Sequence, residues 1–150
     1  MAETLDDIDR TLVRELVGNG RATLSELAAS TGLSVSAVQS RVRRLESRGV
    51  VTGYSARINP EAVGNLLSAF VAITPLDPSR PDDVPARLEH FEAIESCHSV
   101  AGEESYILFV RVESARALED LLQRIRTAAN VHTRSTIILQ TFYSGRQYIP

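Results

Sequence analysis

Hydrophobic residues recur at helical spacing over the first third of the chain and mostly at strand spacing after it. Leu5, Ile8, Leu12 and Leu16 predict an amphipathic helix from about Asp6 to Val17, ended by Gly18-Asn19-Gly20. Its acidic first turn, with Asp6, Asp7 and Asp9, suits the positive end of the helix dipole. Thr23 and Glu26 have capping-box spacing ahead of apolar Leu27 and Ala28. Gly32 then supplies a sharp turn, and Ser34 caps a further helix. On that helix Val35, Val38, Val42 and Leu45 form one stripe to be buried. Three helices, the last two joined by a tight turn, make a helix-turn-helix.

Beyond Gly49 the rhythm changes. Val50 to Ile58 alternates and is rich in β-branched residues, so it predicts a strand, broken by Asn59-Pro60 and a turn at 61–64. Further strands are predicted at Leu67–Pro75, Ile94–Ala101, Tyr106–Val112 and Val131–Tyr143. A helix is predicted at about Asp82–Phe91, after a loop crowded by Pro78, Pro81 and Pro85. Another runs from a Ser114 cap to about Ala128. The order β-α-β-β-α-β is that of a ferredoxin-like unit, one antiparallel sheet with two helices on one face. In the strand at 106–112, neither the Ile107, Phe109, Arg111 face nor the opposite one is wet in its middle. Self-association through the open sheet face follows. The predicted fold class is α+β: a helix-turn-helix domain at 1–49, a strand linker at 50–65, and a βαββαβ ferredoxin-like domain at 66–150.

Charge adds chemistry to this layout. The chain has a net charge of −3 and no Lys. Residues 21–57 hold six Arg against two acids, a local charge of +4. A basic patch on an acidic protein is what docking to phosphate requires. The helix after Ser34 presents Ser36, Gln39 and Ser40, whose polar ends suit base edges. It also carries Arg41, Arg43, Arg44 and Arg48, which suit phosphates. Thr23 and Ser34, at the helix starts, complete the candidate contacts to double-stranded DNA. Enzyme chemistry is not expected. His90, His98 and His132 are scattered without metal-ligand spacing. Cys97 is the only cysteine; it predicts a reducing compartment and a buried strand position rather than a nucleophile. No apolar run reaches bilayer length, and the N-terminus lacks signal-peptide character. The expectation is a cytoplasmic, nucleoid-associated protein with no membrane partner.

The stretches LDDIDRTLVREL (5–16), LSELAASTGLS (24–34), RVRRLESRGVVTGYSARINPEAVG (41–64) and AGEESYIL (101–108), with a later TRSTIIL strand, resemble the Lrp/AsnC or feast/famine transcriptional regulators. The resemblance spans residues 4–148 and is nearest to actinobacterial members. It implies a regulator of amino-acid metabolism or starvation response, with homodimers assembling to tetramers or octamers. It also implies an amino-acid effector, and no cofactor or metal. The implied effector site combines the turn Ser99, Val100, Ala101, Gly102, Glu103, Glu104, Ser105 and Tyr106 with Thr133, Ser135 and Thr136. Where many members have Asp, this chain has Ser105, so either Glu103 or Glu104 supplies the counter-charge to a ligand ammonium or the ligand differs from that of leucine-type members. Two other readings stay open. One is an architectural protein that wraps DNA. The other is a tetrapyrrole decarboxylase, which would need polar groups clustered in the C-terminal half.

Overall fold

A computed structural model describes residues 5–79 and 82–149. The first four residues, Arg80, Pro81 and Pro150 lie outside the described residues. The sequence reading places these at the N-terminus, in the proline-rich loop and at the end of the C-terminal domain. The chain forms two compact units. One runs up to Arg57 and includes the segment from Tyr143 onward; the other is Ile58–Phe142.

The first unit holds α1 (Asp7–Gly18), α2 (Leu24–Thr31) and α3 (Val35–Ser47). The starts of α2 and α3 are capped as the sequence predicts, and α1 is capped as well, by an Asp6 that the sequence presents only as dipole charge. The Asp6 side chain accepts from the Asp9 N–H, Thr23 and Glu26 complete a capping box, and Ser34 accepts from the Ala37 N–H. The Thr23 N–H and hydroxyl also hold the Glu26 carboxyl below the usual carboxylate range. Gly32 takes the left-handed conformation, φ 71°, that lets α2 stop and α3 leave at a new angle. Leu12, Val13, Leu27, Ala28, Val38, Val42 and Leu45 form the core. Val35 is the exception to the predicted stripe: as the first residue of α3 it lies ahead of that core and is 46% exposed.

The predicted strand at 50–58 does not form. The run turns back on α3 instead: the Val50 and Val51 N–H groups donate to the Leu45 carbonyl. Val51 packs against the helical core, and the Tyr54 hydroxyl donates to Glu46 Oε1 at 2.8 Å. With its first amides committed to the helix end and no strand pairing with it among the described residues, β-branching alone does not make a ladder. Residues 50–57 therefore belong to the helical unit, and so does the C-terminal segment, whose Ile149 packs against the same core.

The second unit is a four-stranded sheet in the order β2-β3-β1-β4, with every neighbouring pair antiparallel. Its elements are β1 (Leu67–Pro75), α4 (Val84–Leu88), β2 (Ile94–Ser99), β3 (Tyr106–Val112), α5 (Ala115–Ala129) and β4 (Val131–Ile138), preceded by one 3-10 turn at Glu61–Val63. The βαββαβ order is thus the predicted one. Ala69, Val71 and Ile73 of β1 and Tyr106, Leu108, Val110 and Val112 of β3 share a core with Val84, Leu88, Leu118, Leu121, Leu122 and Ile125 of the helices. β4 is five residues shorter than predicted because Ile138 already pairs with Ser68, next to the start of β1. Beyond it Leu139 is 97% exposed. Cys97 is exposed, not buried as expected, because β2 is the edge strand and α4 is only five residues long.

Candidate functional site

On α3, residues at 100° intervals place Ser36, Ser40, Arg43 and Ser47 along the face opposite Val38, Val42 and Leu45, with Gln39 on its shoulder. All five are exposed. Arg43, which the sequence reading grouped with phosphate contacts, therefore shares the line of Ser36 and Ser40. It has no carboxylate partner among the described residues. Ser34 Oγ is occupied by its cap and lies 3.2 Å from Ser36 Oγ. Thr23 is committed to Glu26 through both its N–H and its hydroxyl. Arg48 is exposed at the C-cap of α3.

Arg41 and Arg44 are not disposed as the sequence reading expects. Arg41 Nη1 donates to Asp6 Oδ2 at 2.6 Å and to Asp9 Oδ1 at 2.8 Å, and Arg44 Nη2 donates to Asp9 Oδ2 at 2.9 Å. Asp9 is 3% exposed. The Arg41 hydrogen bond holds the Asp6 carboxyl below its ordinary range, and Asp6 in turn raises Arg41. In the sequence these acids are fully accounted for by the helix dipole, so periodicity gives no sign of the pairing.

In the second unit, the hairpin Ser99–Tyr106 joins β2 to β3. The Val100 N–H donates to the Ser105 carbonyl, and the Ser105 N–H donates to the Ile73 carbonyl. The Ser105 amide is therefore held by β1. A Cβ added at Gly102 would meet nothing within 4 Å. Glu104, with its side chain 18% exposed, forms an ion pair with Arg134 of β4. These two side chains, with Ala72, Thr74, Glu103, His132 and Thr133, line a cavity of about 380 Å³. The implied set is thus divided. Glu103, Glu104 and Thr133 line the cavity, while Ser99, Val100, Ala101, Gly102, Ser105, Tyr106, Ser135 and Thr136 do not. Thr136 pairs with Phe70 and Ser135 with Val71, so they face opposite sides of the sheet. Arg134 was missed although it stands between Thr133 and Ser135 in the TRSTIIL run; its charge was the available signal.

A second cavity, of about 410 Å³, lies beyond Ser105 and is walled by Asp77, Asp82, Asp83 and Arg87. Its cation, Arg87, lies 2.8 Å from Asp83 Oδ2 and is 41% exposed, and three carboxylates surround it. The smaller cavity, with a carboxylate and a 73% exposed guanidinium at its wall, is the better match to a zwitterion. Tyr106 is buried, and its hydroxyl donates to the Asp82 carboxylate. That bond and burial push its pKa up to about 12. The hydrogen bond should therefore stabilise the fold fully below pH 10 and progressively less as pH rises toward 12. Tyr106→Phe is expected to cost about 1–2 kcal/mol in urea unfolding at pH 7. It should also remove a tyrosinate absorbance step near pH 12.

The open sheet face carries Phe70 and Phe109 with ring centroids 5.4 Å apart, flanked by Ala72 and Ile107. Phe70 is 47% exposed. Arg111 lies over the Phe109 ring, 5.0 Å from its centroid, and its Nε is 2.8 Å from Glu95 Oε1, close enough for charge but not aligned as a hydrogen bond.

Comparison with known proteins identifies both units. Residues 5–46 match the AsnC-type helix-turn-helix domain, and residues 68–148 match the Lrp/AsnC ligand binding domain. The chain is 83% identical over 150 residues to the HTH-type transcriptional regulator LrpA of Mycobacterium tuberculosis, covering all of both chains. It is 36% identical over 141 residues to the leucine-responsive regulatory protein of Escherichia coli, covering 91% of this chain and 85% of that one. A solved feast or famine regulatory protein from M. tuberculosis complexed with L-methionine superposes with a TM-score of 0.96 at 84% identity, covering 98% of this chain and all of that one.

Proposed function

The chain belongs to the Lrp/AsnC family of transcriptional regulators, and from that premise we propose that it reads DNA through α3 and senses an amino acid through the Glu104–Arg134 cavity. It is a non-enzymatic regulator with an amino-acid ligand-binding domain. The observation that carries the reading is the outer face of α3. Ser36, Gln39, Ser40 and Arg43 stand exposed on a helix fixed by caps at its start and a buried core behind it. Arg43 and Gln39 suit guanine and adenine edges respectively, and Arg48 suits a flanking phosphate, while Arg44 is in part held back by Asp9. The likeness to a methionine-bound relative makes L-methionine the first effector to test. Its carboxylate would take Arg134 and its ammonium would take Glu104, so the ligand replaces the internal ion pair. Open space at Gly102 leaves room for a neighbouring domain at the hairpin. The Phe70–Phe109 face supports a homodimer that assembles further, to a tetramer or octamer. Among the described residues no helix is long and apolar enough to cross a membrane, and a DNA reader acts in the cytoplasm, on the nucleoid.

Calorimetry with a panel of amino acids, repeated on an Arg134→Met chain, tests the effector site. Loss of a charge-assisted contact is expected to weaken methionine about tenfold to a hundredfold. Equal affinity in both chains would place the effector elsewhere. Fluorescence anisotropy on duplexes selected from a random library tests the DNA reading. Gln39→Ala should lower discrimination between duplexes more than overall affinity.

A further inference from the structure

The arginines of α3 divide into two groups, and the division is made by α1. One oxygen of Asp9 receives Arg41 at 2.8 Å and the other receives Arg44 at 2.9 Å, while Asp6 receives Arg41 again at 2.6 Å. The Asp9 side chain is 4% exposed, and Arg41 is drawn in with it to 25%. A carboxylate held between two guanidinium groups presents them with the charge and oxygen geometry that a DNA phosphate would offer. Arg43 stays on the outer face without such a partner among the described residues.

We infer that Asp6 and Asp9 are specificity-determining residues: they act as an internal substitute for phosphate that withholds Arg41, and in part Arg44, from the DNA backbone. The inference rests on the DNA-reading function proposed above. Its physical basis is that phosphate contacts carry no sequence information, yet each one strengthens binding to every duplex. Two recognition-helix charges satisfied inside the protein therefore lower affinity for unrelated DNA. The outer face of Ser36, Gln39, Ser40 and Arg43 stays available for its own site. The ratio between the two affinities rises accordingly.

Asp6→Asn is the sharpest test. Asparagine caps a helix as well as aspartate does, so α1 keeps its start while Arg41 loses one anionic partner. The full-length chain is titrated onto two duplexes over a range of salt, one selected by the unmodified chain and one scrambled. On the scrambled duplex, the slope of log affinity against log salt is expected to steepen by up to about 0.9, the value for one fully released arginine, because Asp9 still holds Arg41 in part. Across a fourfold rise in salt, affinity then falls up to about threefold more than in the unmodified chain, and the ratio between the two duplexes shrinks. Asp9→Asn should steepen the slope further, and Asp6→Asn retains the test if that chain folds poorly. The double variant Asp6→Asn with Arg41→Gln should return the slope to its original value, because the gain comes from Arg41 itself. An unchanged slope in Asp6→Asn overturns the inference while leaving DNA reading intact. So does a steeper slope that survives in the double variant, which would reflect lost negative charge alone. If the unmodified chain shows no salt-dependent binding, the functional reading falls and takes the inference with it.

Discussion

Phe70→Glu combined with Phe109→Glu is expected to leave the protein monomeric at micromolar concentration and to weaken binding to its DNA site about a hundredfold or more. The two rings meet tilted on the sheet surface that α4 and α5 do not cover, at 5.4 Å between centroids and 54° between planes. They lie opposite each other in the register of β1 and β3, so they form the centre of one apolar patch with Ala72 and Ile107. In a twofold dimer each substitution enters the interface twice, placing four carboxylates where apolar area was buried. Desolvating them without partners costs more than the lost contact. The fold should survive, because the residues that build the core point to the other face and remain unchanged. Affinity falls because a dimer binds its second half-site at high effective concentration and a monomer does not. Light scattering beside DNA titration reports both effects, and a double variant that stays dimeric would show that the sheet face is not the interface.

Leu45→Ala should separate the two units. Leu45 is fully buried in a core of seven buried residues among those described, and its carbonyl also receives the Val50 and Val51 amides. Removing its side chain is expected to cost about 3 kcal/mol, a large share of what so small a unit has. Thermal unfolding should then show an early transition for the helices, with the sheet unit melting as before. DNA binding should be lost at 37 °C, while methionine binding should persist. A single transition, shifted as a whole, would mean that the units unfold as one.

Much of this architecture is legible in sequence because local chemistry dictates it. Thr23, Glu26, Gly32, Ser34 and Ser114 each satisfy a helix terminus with their own atoms, and the structure uses them all as caps. β1 and β3 run between their predicted limits, and burial alternates over all of β3 and the middle of β1. What failed was decided by partners distant in sequence. The β-branched run at 50–58 reads as a strand until the Leu45 carbonyl and Glu46 claim it. The last strand ends where β1 begins, which no residue of β4 announces. Cys97 has the pattern of a buried strand residue, but the short α4 leaves it uncovered. The same limit applies to the sites. The outer face of α3 follows from helical periodicity. The Arg41–Asp9 and Arg134–Glu104 pairs each join residues about thirty positions apart, whose meeting depends on packing.

One chain is proposed to couple DNA reading to an amino acid. Quantitative footprinting on genomic DNA, with and without L-methionine, tests it most directly. Discrete protected sites with inverted-repeat symmetry are expected, spaced by about one helical turn or a multiple of it, with an occupancy that shifts with methionine. Protection spread evenly along the DNA, weakened only by salt and indifferent to every amino acid tried, would contradict it.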